Sequence, residues 1–525
     1  MSKILKLLLI AAFFNALTWI VLIPVWQYPD EQAHFAQVQD IAELRKVPIN
    51  NVDTSYEIAL SEKILGTQRD GFGNNKYTYH PEYKIDFSET KTGLFEESII
   101  NLPISSRTTL VKHESTFNPP IYYIMSSVVY KLFYTGNLFV RIFAIRVMSA
   151  AIFIGTIFLT YKIGKIIFYK YYGLSLVLSS LVAFKPMLVY SSSGILPDSL
   201  VNLLFTIMIY IGLKIVINGL RKEYIALFVA VTLIGIMTRQ QFLLSVPMVL
   251  TALITRTILI KKEWKALIIF FSLTISVFIF FTLFGTKIPI ISSFRIHELT
   301  SLKFGELFNL SYISYLTSSF SKFYRETFVW YWGVYKWLSL TMPLTFYRII
   351  KVLLLLAGIG IAVNIFDKLR RTKIELACLV FFVLCSLLYF WILITWDYFF
   401  YRNSGYSFGI QGRYFFPLVI AHLTILLMGL WQIFRVILQK YAIFGVIFIS
   451  ILMMIFNDLS LYHVSGSYYD TSSLDKFVTQ VSQYKPKLLK GPPILLIVVV
   501  NLTLQLCLVY YLGKYVLKKA NKNYN

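Results

Sequence analysis

Stretches of about twenty apolar residues recur along this 525-residue chain, and they constrain its fold more than any other feature. A helix of that length crosses a hydrocarbon layer of about 30 Å. Backbone N–H and C=O groups find no water inside such a layer, so only helices or a closed barrel can span it. The stretches are too long and too uniformly apolar for the alternating strands of a membrane barrel. The expected fold is all-α: a polytopic integral membrane protein. Composition agrees, with 57% hydrophobic and 14% charged residues, whereas soluble chains carry about a quarter charged. A soluble enzyme is excluded.

Twelve spans are expected. The first lies near 4–26, and the others near 138–160, 173–194, 198–218, 224–240, 242–258, 266–285, 347–366, 374–395, 414–434, 441–457 and 494–513. The first follows Lys3 and Lys6 and exceeds a signal-peptide core, and no small-residue cleavage site follows it, so it reads as an uncleaved helix starting in the cytoplasm. Threading twelve spans from there puts twenty-one Lys and Arg residues in the inner loops and tails, among them Lys368, Arg370 and Arg371, against Glu223, Glu263 and Asp367. That is the positive-inside pattern, and it places both termini in the cytoplasm. The net charge of +24 is thereby used by topology and anionic lipid, and nucleic acid is not an expected partner. Residues 1–455 read as one transmembrane module, with a first outer loop over 27–137. Residues 456–525 add an outer loop, a last span and a basic tail. Within the first loop, NPPIYYIMSSVVYKLF at 118–133 is too short to span and is expected to lie along or dip into the membrane surface.

The inner loops are short and carry no Gly-rich phosphate cradle, so any chemistry faces outward or into the membrane. Cys378, Cys385 and Cys507 all lie in apolar blocks, which leaves neither a disulfide framework nor a thiolate zinc site. His80, His113, His297, His422 and His463 show no metal-ligand spacing.

The chemistry-bearing residues cluster at outer junctions. YPDEQAHF at 28–35 sets Asp30, Glu31 and His34 where the chain leaves the first span. The two acids suit the first turn of a helix opened by Pro29. Partial desolvation at that boundary would also raise a carboxylate's pKa and make it a better general base, while its neighbour orients it or binds a divalent cation. Asp198 follows Pro197 on the same side, where a helix N-cap and a site acid are both open readings. Arg239, in MTRQQ, sits at another outer junction, as an ion-pair partner or an anion ligand. QGRYFFP at 411–417 brings Arg413 and Tyr414 to an outer helix start, and an arginine there suits a bidentate phosphate clamp. ETFVWYWGVYKW at 326–337 reads first as an interfacial aromatic belt.

These motifs resemble those of the GT-C class of membrane glycosyltransferases. More closely, PDEQAHF, NPPIYY, WYWGVYKW and QGRYFFP look like the bacterial membrane family called domain of unknown function 2142, over roughly residues 5–455. The resemblance implies an inverting sugar transferase in the bacterial cell membrane. It would use a polyprenyl-phosphate-linked donor and a cell-envelope glycan or lipid acceptor at the outer face, with membrane lipids as surroundings. Asp30 matches the class's catalytic base and Glu31 its neighbour. Asn118 stands where relatives often carry His, and Arg239 where some carry Lys. No cofactor is implied beyond the divalent cation considered for the acids. The alternative is a multi-pass transporter or flippase of a lipid-linked or envelope substrate. Against it stands the single large loop after the first span, an asymmetry that matched halves would not show.

Overall fold

The computed structural model describes residues 3–48, 52–69, 78, 80, 87, 89–115, 118–284, 305, 308–366 and 372–522. Lys368, Arg370, Arg371 and His297 lie outside them, as does most of the outer stretch 285–307. Each of the twelve expected stretches contains helix in the described residues, not always over its full length. Among the described residues, nine helices are long and apolar enough to cross a membrane, and ten if one bent pair is counted as a span. The expected span at 224–240 is the fifteen-residue helix Lys222–Ile236, about 22 Å long and short of a full crossing. That at 266–285 corresponds to Trp264–Phe284, with residue 285 outside the described residues.

The bent pair replaces the single helix expected at 173–194. Gly173–Ala183 and Pro186–Ser193 meet at 60°. Pro186 supplies no N–H and disfavours the helical conformation at the residue before it, and Lys185 is extended there (φ −69°, ψ 111°). Close helix contact is made by small residues. A Cβ on Gly360 would lie 2.0 Å from the Gly429 carbonyl oxygen, and one on Gly429 would lie 2.2 Å from that of Ala357, so Leu344–Phe366 and Val419–Ile437 pack backbone to backbone.

The helix Ala442–Tyr468 runs unbroken through residue 455, and the last helix, Pro492–Lys522, packs against the first. Gln505 also donates to Asp458 at 3.1 Å. The boundary drawn at 455/456 therefore separates nothing: the last span needs a neighbour on which to bury its apolar side, and the first helix provides it.

Above the first span, Glu31–Leu44 lies against Ile121–Leu132, and a two-stranded ribbon pairs Val52–Ser55 with Leu110–Ser115. Ile121–Leu132 has twelve residues and two faces. Tyr122, Tyr123 and Tyr130 are buried, while Ile124, Met125, Val128 and Leu132 are exposed, as expected of a helix lying at a membrane surface.

Two arginines in the span Leu138–Ile167 fasten this outer layer. Arg141 pairs with Glu57, accompanied by Tyr130, Gln39 and Glu43. Arg146 is wholly buried, and its five N–H groups are all used. Nε donates to Glu31 Oε1 at 2.8 Å. Nη2 donates to Glu31 Oε2 at 2.6 Å and to the Pro24 carbonyl at 2.9 Å. Nη1 reaches the carbonyls of Ile20 (3.3 Å) and Ile23 (2.9 Å). Pro24 ends the first helix, and the carbonyls freed by that ending are the ones Arg146 collects.

Removing one partner of this pair strands a buried charge, at about 3–5 kcal/mol. Arg146→Met and Glu31→Gln are each expected to lose that much stability in detergent, read by thermal or denaturant unfolding. The double variant Glu31→Leu with Arg146→Met should recover most of it; a double variant as unstable as Arg146→Met alone would remove the stranded charge as the cause.

Candidate functional site

The chain leaves its first helix through Pro24 and turns twice through the left-handed region, at Trp26 (φ 62°) and at Asp30 (φ 56°). Few residues other than glycine hold that conformation, and Asp is among those that tolerate it. The turn is pinned from inside by Glu31, which accepts from the backbone N–H groups of Trp26 (3.1 Å) and Ile195 (3.3 Å) besides Arg146. Adjacent carboxylates thus point opposite ways: Glu31 is fully buried, and Asp30 is half-exposed. The expectation that Glu31 assists Asp30 directly is corrected here, because Arg146 holds both its oxygens. A divalent cation does not fit the acid pair for the same reason: Glu31 faces Arg146, and Asp30 faces two other guanidiniums.

Those two come from distant parts of the chain. Arg69 Nη2 lies 2.9 Å from Asp30 Oδ1, and Arg413 Nη2 lies 3.3 Å from Oδ2, across 383 residues of sequence. Arg413 stands in the short 3₁₀ segment Gly412–Leu418. Gly412 fits against the backbone of Trp330 and Tyr331, where a Cβ would come within 2.1 Å of the Tyr331 nitrogen. Thr327 Oγ1 donates to the Ile410 carbonyl at 2.9 Å. The motifs at 326–337 and 411–417 therefore interlock, and this seats Arg413.

Burial then corrects the aromatic-belt reading. Trp332, Val334 and Tyr335 are buried rather than spread on a membrane surface, and Tyr335 stacks on Trp19 of the first helix at 5.5 Å. Lys185 at the bend meets that segment. It is fully buried, donates to the Tyr331 carbonyl and lies 3.9 Å from the Tyr331 ring centre and 4.7 Å from those of Trp332 and Phe416. Ring faces and a carbonyl take the place of water around its amine.

His34, one turn beyond Asp30, has its Nδ1 2.7 Å from the Tyr123 hydroxyl. Arg239 is ion-paired with Asp198 at a half-buried position, and Asp198 is the first residue of the helix Asp198–Asn218 rather than its N-cap. The Tyr414 ring centre lies 5.8 Å from the Arg413 guanidinium carbon and 5.9 Å from that of Arg239. The Tyr414 carbonyl accepts from Gln241 (3.1 Å) and Tyr389 (2.9 Å), which fixes the segment. Asp30, His34, Asp198, Arg239, Arg413 and Tyr414 thus meet around one rim, and Glu31 stands just beneath it. Arg69, Tyr123, Gln241 and Arg146 belong to the same structure without having been singled out in sequence. Arg146 carried a readable signal, a charge inside an apolar block. Arg69, one cation in a polar loop, carried none.

Charge around Asp30 reverses the expected shift of its acidity. Burial pushes the carboxyl upward, but Arg69 and Arg413, with His34, outweigh it and hold Asp30 below the ordinary carboxylate range. For His34, burial and the Arg239, Arg413 and Arg69 charges together outweigh the attraction of Asp30, and its pKa falls to about 3. At neutral pH the rim therefore holds an ionised carboxylate beside a neutral imidazole.

Residues 13–421 match a family model described as a predicted membrane protein, DUF2142. No curated protein matches the chain. Among solved structures, the archaeal oligosaccharyltransferase AglB from Archaeoglobus fulgidus, in complex with an inhibitory peptide and a dolichol-phosphate, superposes with a TM-score of 0.44 at 10% identity. The superposition covers 89% of this chain and 56% of AglB, so the chain spans little more than half the length of that protein.

The unfolded chain protonates a histidine below about pH 6.5, whereas folded His34 takes its proton only near pH 3. His34 therefore costs stability progressively as pH falls between those values. His34→Gln is expected to lose less stability than the parent from pH 7 to pH 4, measured as the difference between their melting temperatures. A gap that stays constant with pH, or an NMR titration of the His34 ring with a midpoint near 6.5, would contradict the neutral imidazole.

Proposed function

The chain belongs to the DUF2142 family of predicted membrane proteins, and for it we propose sugar transfer at the outer face of a bacterial cell membrane. The donor is a polyprenyl-phosphate-linked sugar and the acceptor a hydroxyl of an envelope glycan or lipid. The observation that carries this reading is the Asp30 carboxylate facing the Arg413 guanidinium at 3.3 Å, half-exposed, at the end of the first membrane helix. A base that water can reach, set against an anion-binding group at the membrane edge, suits a reaction between a lipid-anchored donor and an aqueous acceptor. The inner-loop excess of Lys and Arg supports the orientation, with both termini cytoplasmic and the rim outside.

In the reaction, Asp30 takes the proton from the acceptor hydroxyl as its oxygen attacks the anomeric carbon. The bond from that carbon to the phosphate oxygen breaks, and the phosphate leaves with the electron pair. Attack from the face opposite the leaving group inverts the anomeric centre. Arg413, held by the interlocked motifs, stabilises the departing charge, and Arg239 adds to it from beside Tyr414. Contributions on the order of 10²-fold each are ordinary for a positioned base and for a group that meets developing charge. His34 stays neutral and can donate or accept a hydrogen bond without adding charge. Glu31 acts through position alone: it anchors the turn that presents Asp30.

Asp30→Asn is expected to abolish consumption of polyprenyl-phosphate sugars by the purified protein while its melting temperature stays close to the parent's. Full activity in that variant would remove the assigned base. Because Asp30 is held below its ordinary range, the acid limb of kcat/KM should fall below about pH 4. In Arg413→Gln, kcat/KM should drop about 10²-fold or more and the limb should move to higher pH, since loss of a neighbouring cation makes the carboxylate easier to protonate. An unmoved limb would separate Arg413 from the base.

A further inference from the structure

We propose that Arg69 is the second arm of an anion clamp, closing with Arg413 on the phosphate of a lipid-linked ligand, with Trp337 as the surface that carries its guanidinium. The inference rests on the reading of the rim given above and names a residue outside every motif that led to it.

The first observation is a surplus of donors. A guanidinium offers five N–H groups in a fixed fork. Arg69 and Arg413 each place one nitrogen on an opposite oxygen of the same carboxylate, at 2.9 and 3.3 Å. Their side chains are only 15% and 7% exposed, yet the Nε of each is buried with no hydrogen-bond partner among the described residues. Arg146, by contrast, uses all five of its donors. A carboxylate shared end-on between two forks satisfies neither, whereas the two free oxygens of the donor's phosphodiester, and the three of the lipid phosphate it leaves, can meet both.

The second observation is the charge count. The groups facing Asp30 are His34 on its own helix, Arg69 from the outer loop and Arg413 beside Tyr414; Tyr123 and the Arg239–Asp198 pair complete the surroundings. His34 is neutral, so three guanidiniums face two carboxylates and the rim keeps a net positive charge. The single negative charge of a lipid-linked phosphodiester neutralises it.

The third observation is how Arg69 is held. Its guanidinium carbon lies 5.1 Å from the centre of the Trp337 ring, and the Trp337 Nε1–H donates to the Trp26 carbonyl at 3.2 Å. Trp337 is the middle of three consecutive non-glycine residues in the left-handed region, Lys336 (φ 52°), Trp337 (φ 55°) and Leu338 (φ 66°). Backbone of that kind is costly and persists where its surroundings hold it. Here it sets an indole beneath the arginine, a contact that keeps the cation in place without fixing the direction of its fork. The neighbouring helix exposes Ile124, Met125, Val128 and Leu132, an apolar approach that favours a lipid-borne phosphate over a free one. When the phosphate arrives, both guanidiniums turn from Asp30 to it, and the carboxylate, left beside neutral His34, becomes the stronger base.

The test uses the purified full-length protein in detergent micelles, titrated with decaprenyl phosphate and, separately, with inorganic phosphate, while tryptophan emission is recorded. Decaprenyl phosphate should change the emission of the parent; Trp337→Phe should lose that change. Arg69→Gln should lose it too and bind the lipid about tenfold or more weakly. Arg69→Lys should retain the fold and only part of the affinity, and inorganic phosphate should bind far more weakly than the lipid. Equal affinity and an unaltered emission change in Arg69→Gln would overturn the assignment of Arg69 while leaving the rim reading intact. Equal binding of inorganic phosphate would overturn the lipid source. A parent protein that binds neither would overturn the clamp together with the phosphate role of the rim.

Discussion

The buried pair between Arg146 and Glu31 is the interaction on which the outer architecture depends. An arginine inside a membrane span is costly unless every donor finds an acceptor, and Arg146 finds them at one place, the end of the first helix and the start of the next. That requirement fixes where the chain may turn. It draws the carbonyls of Ile20, Ile23 and Pro24 together with Glu31, closes the left-handed residues at Trp26 and Asp30, and leaves Asp30 turned outward. The half-exposed carboxylate at the rim is thus a consequence of the fully satisfied one beneath it.

A second buried basic side chain stands in the opposite wall. Lys185 lies where Pro186 breaks a helix, and its amine is met by a carbonyl and three aromatic rings. Those rings belong to the two motifs that carry Trp337 and Arg413. The bend, the inward aromatic segment and the seat of Arg413 are therefore one construction. Asp30 and Arg413 approach from walls that each hold a basic side chain buried in protein rather than in lipid. The rim can accordingly tolerate a net positive charge and unsatisfied donors, which a site assembled from loops alone would relax away.

The opposed directions of Asp30 and Glu31 also explain why acidity did not follow from exposure alone. Boundary desolvation by itself would raise the Asp30 pKa, and it does push that way. The field of two guanidiniums is larger, because both lie in contact with the carboxylate in surroundings less polar than water. The same guanidiniums, with Arg239, help to keep His34 neutral. A phosphate placed among them would reverse the local field, and the acidity of Asp30 would change with it.

By itself the sequence determined that the chain is an all-helical membrane protein, where most of its long apolar helices lie, and that its chemistry-bearing residues stand at helix junctions. These follow from local physics: hydrocarbon accepts only long apolar helices, and polar residues collect where such helices end. It also pointed to Asp30 and Arg413, since each sits in a compact motif at a helix start. Tertiary structure alone decided that two neighbouring carboxylates part company, that Arg69 reaches Asp30, that the tryptophan-rich segment folds inward, and that one expected helix bends by 60°. Apart from the bend, which Pro186 causes locally, these depend on groups meeting partners far along the chain, such as Glu31 with Arg146 or Asp30 with Arg413. Pairings over such separations have no period or spacing in sequence, because they are set by which buried donors remain to be satisfied once the helices have packed.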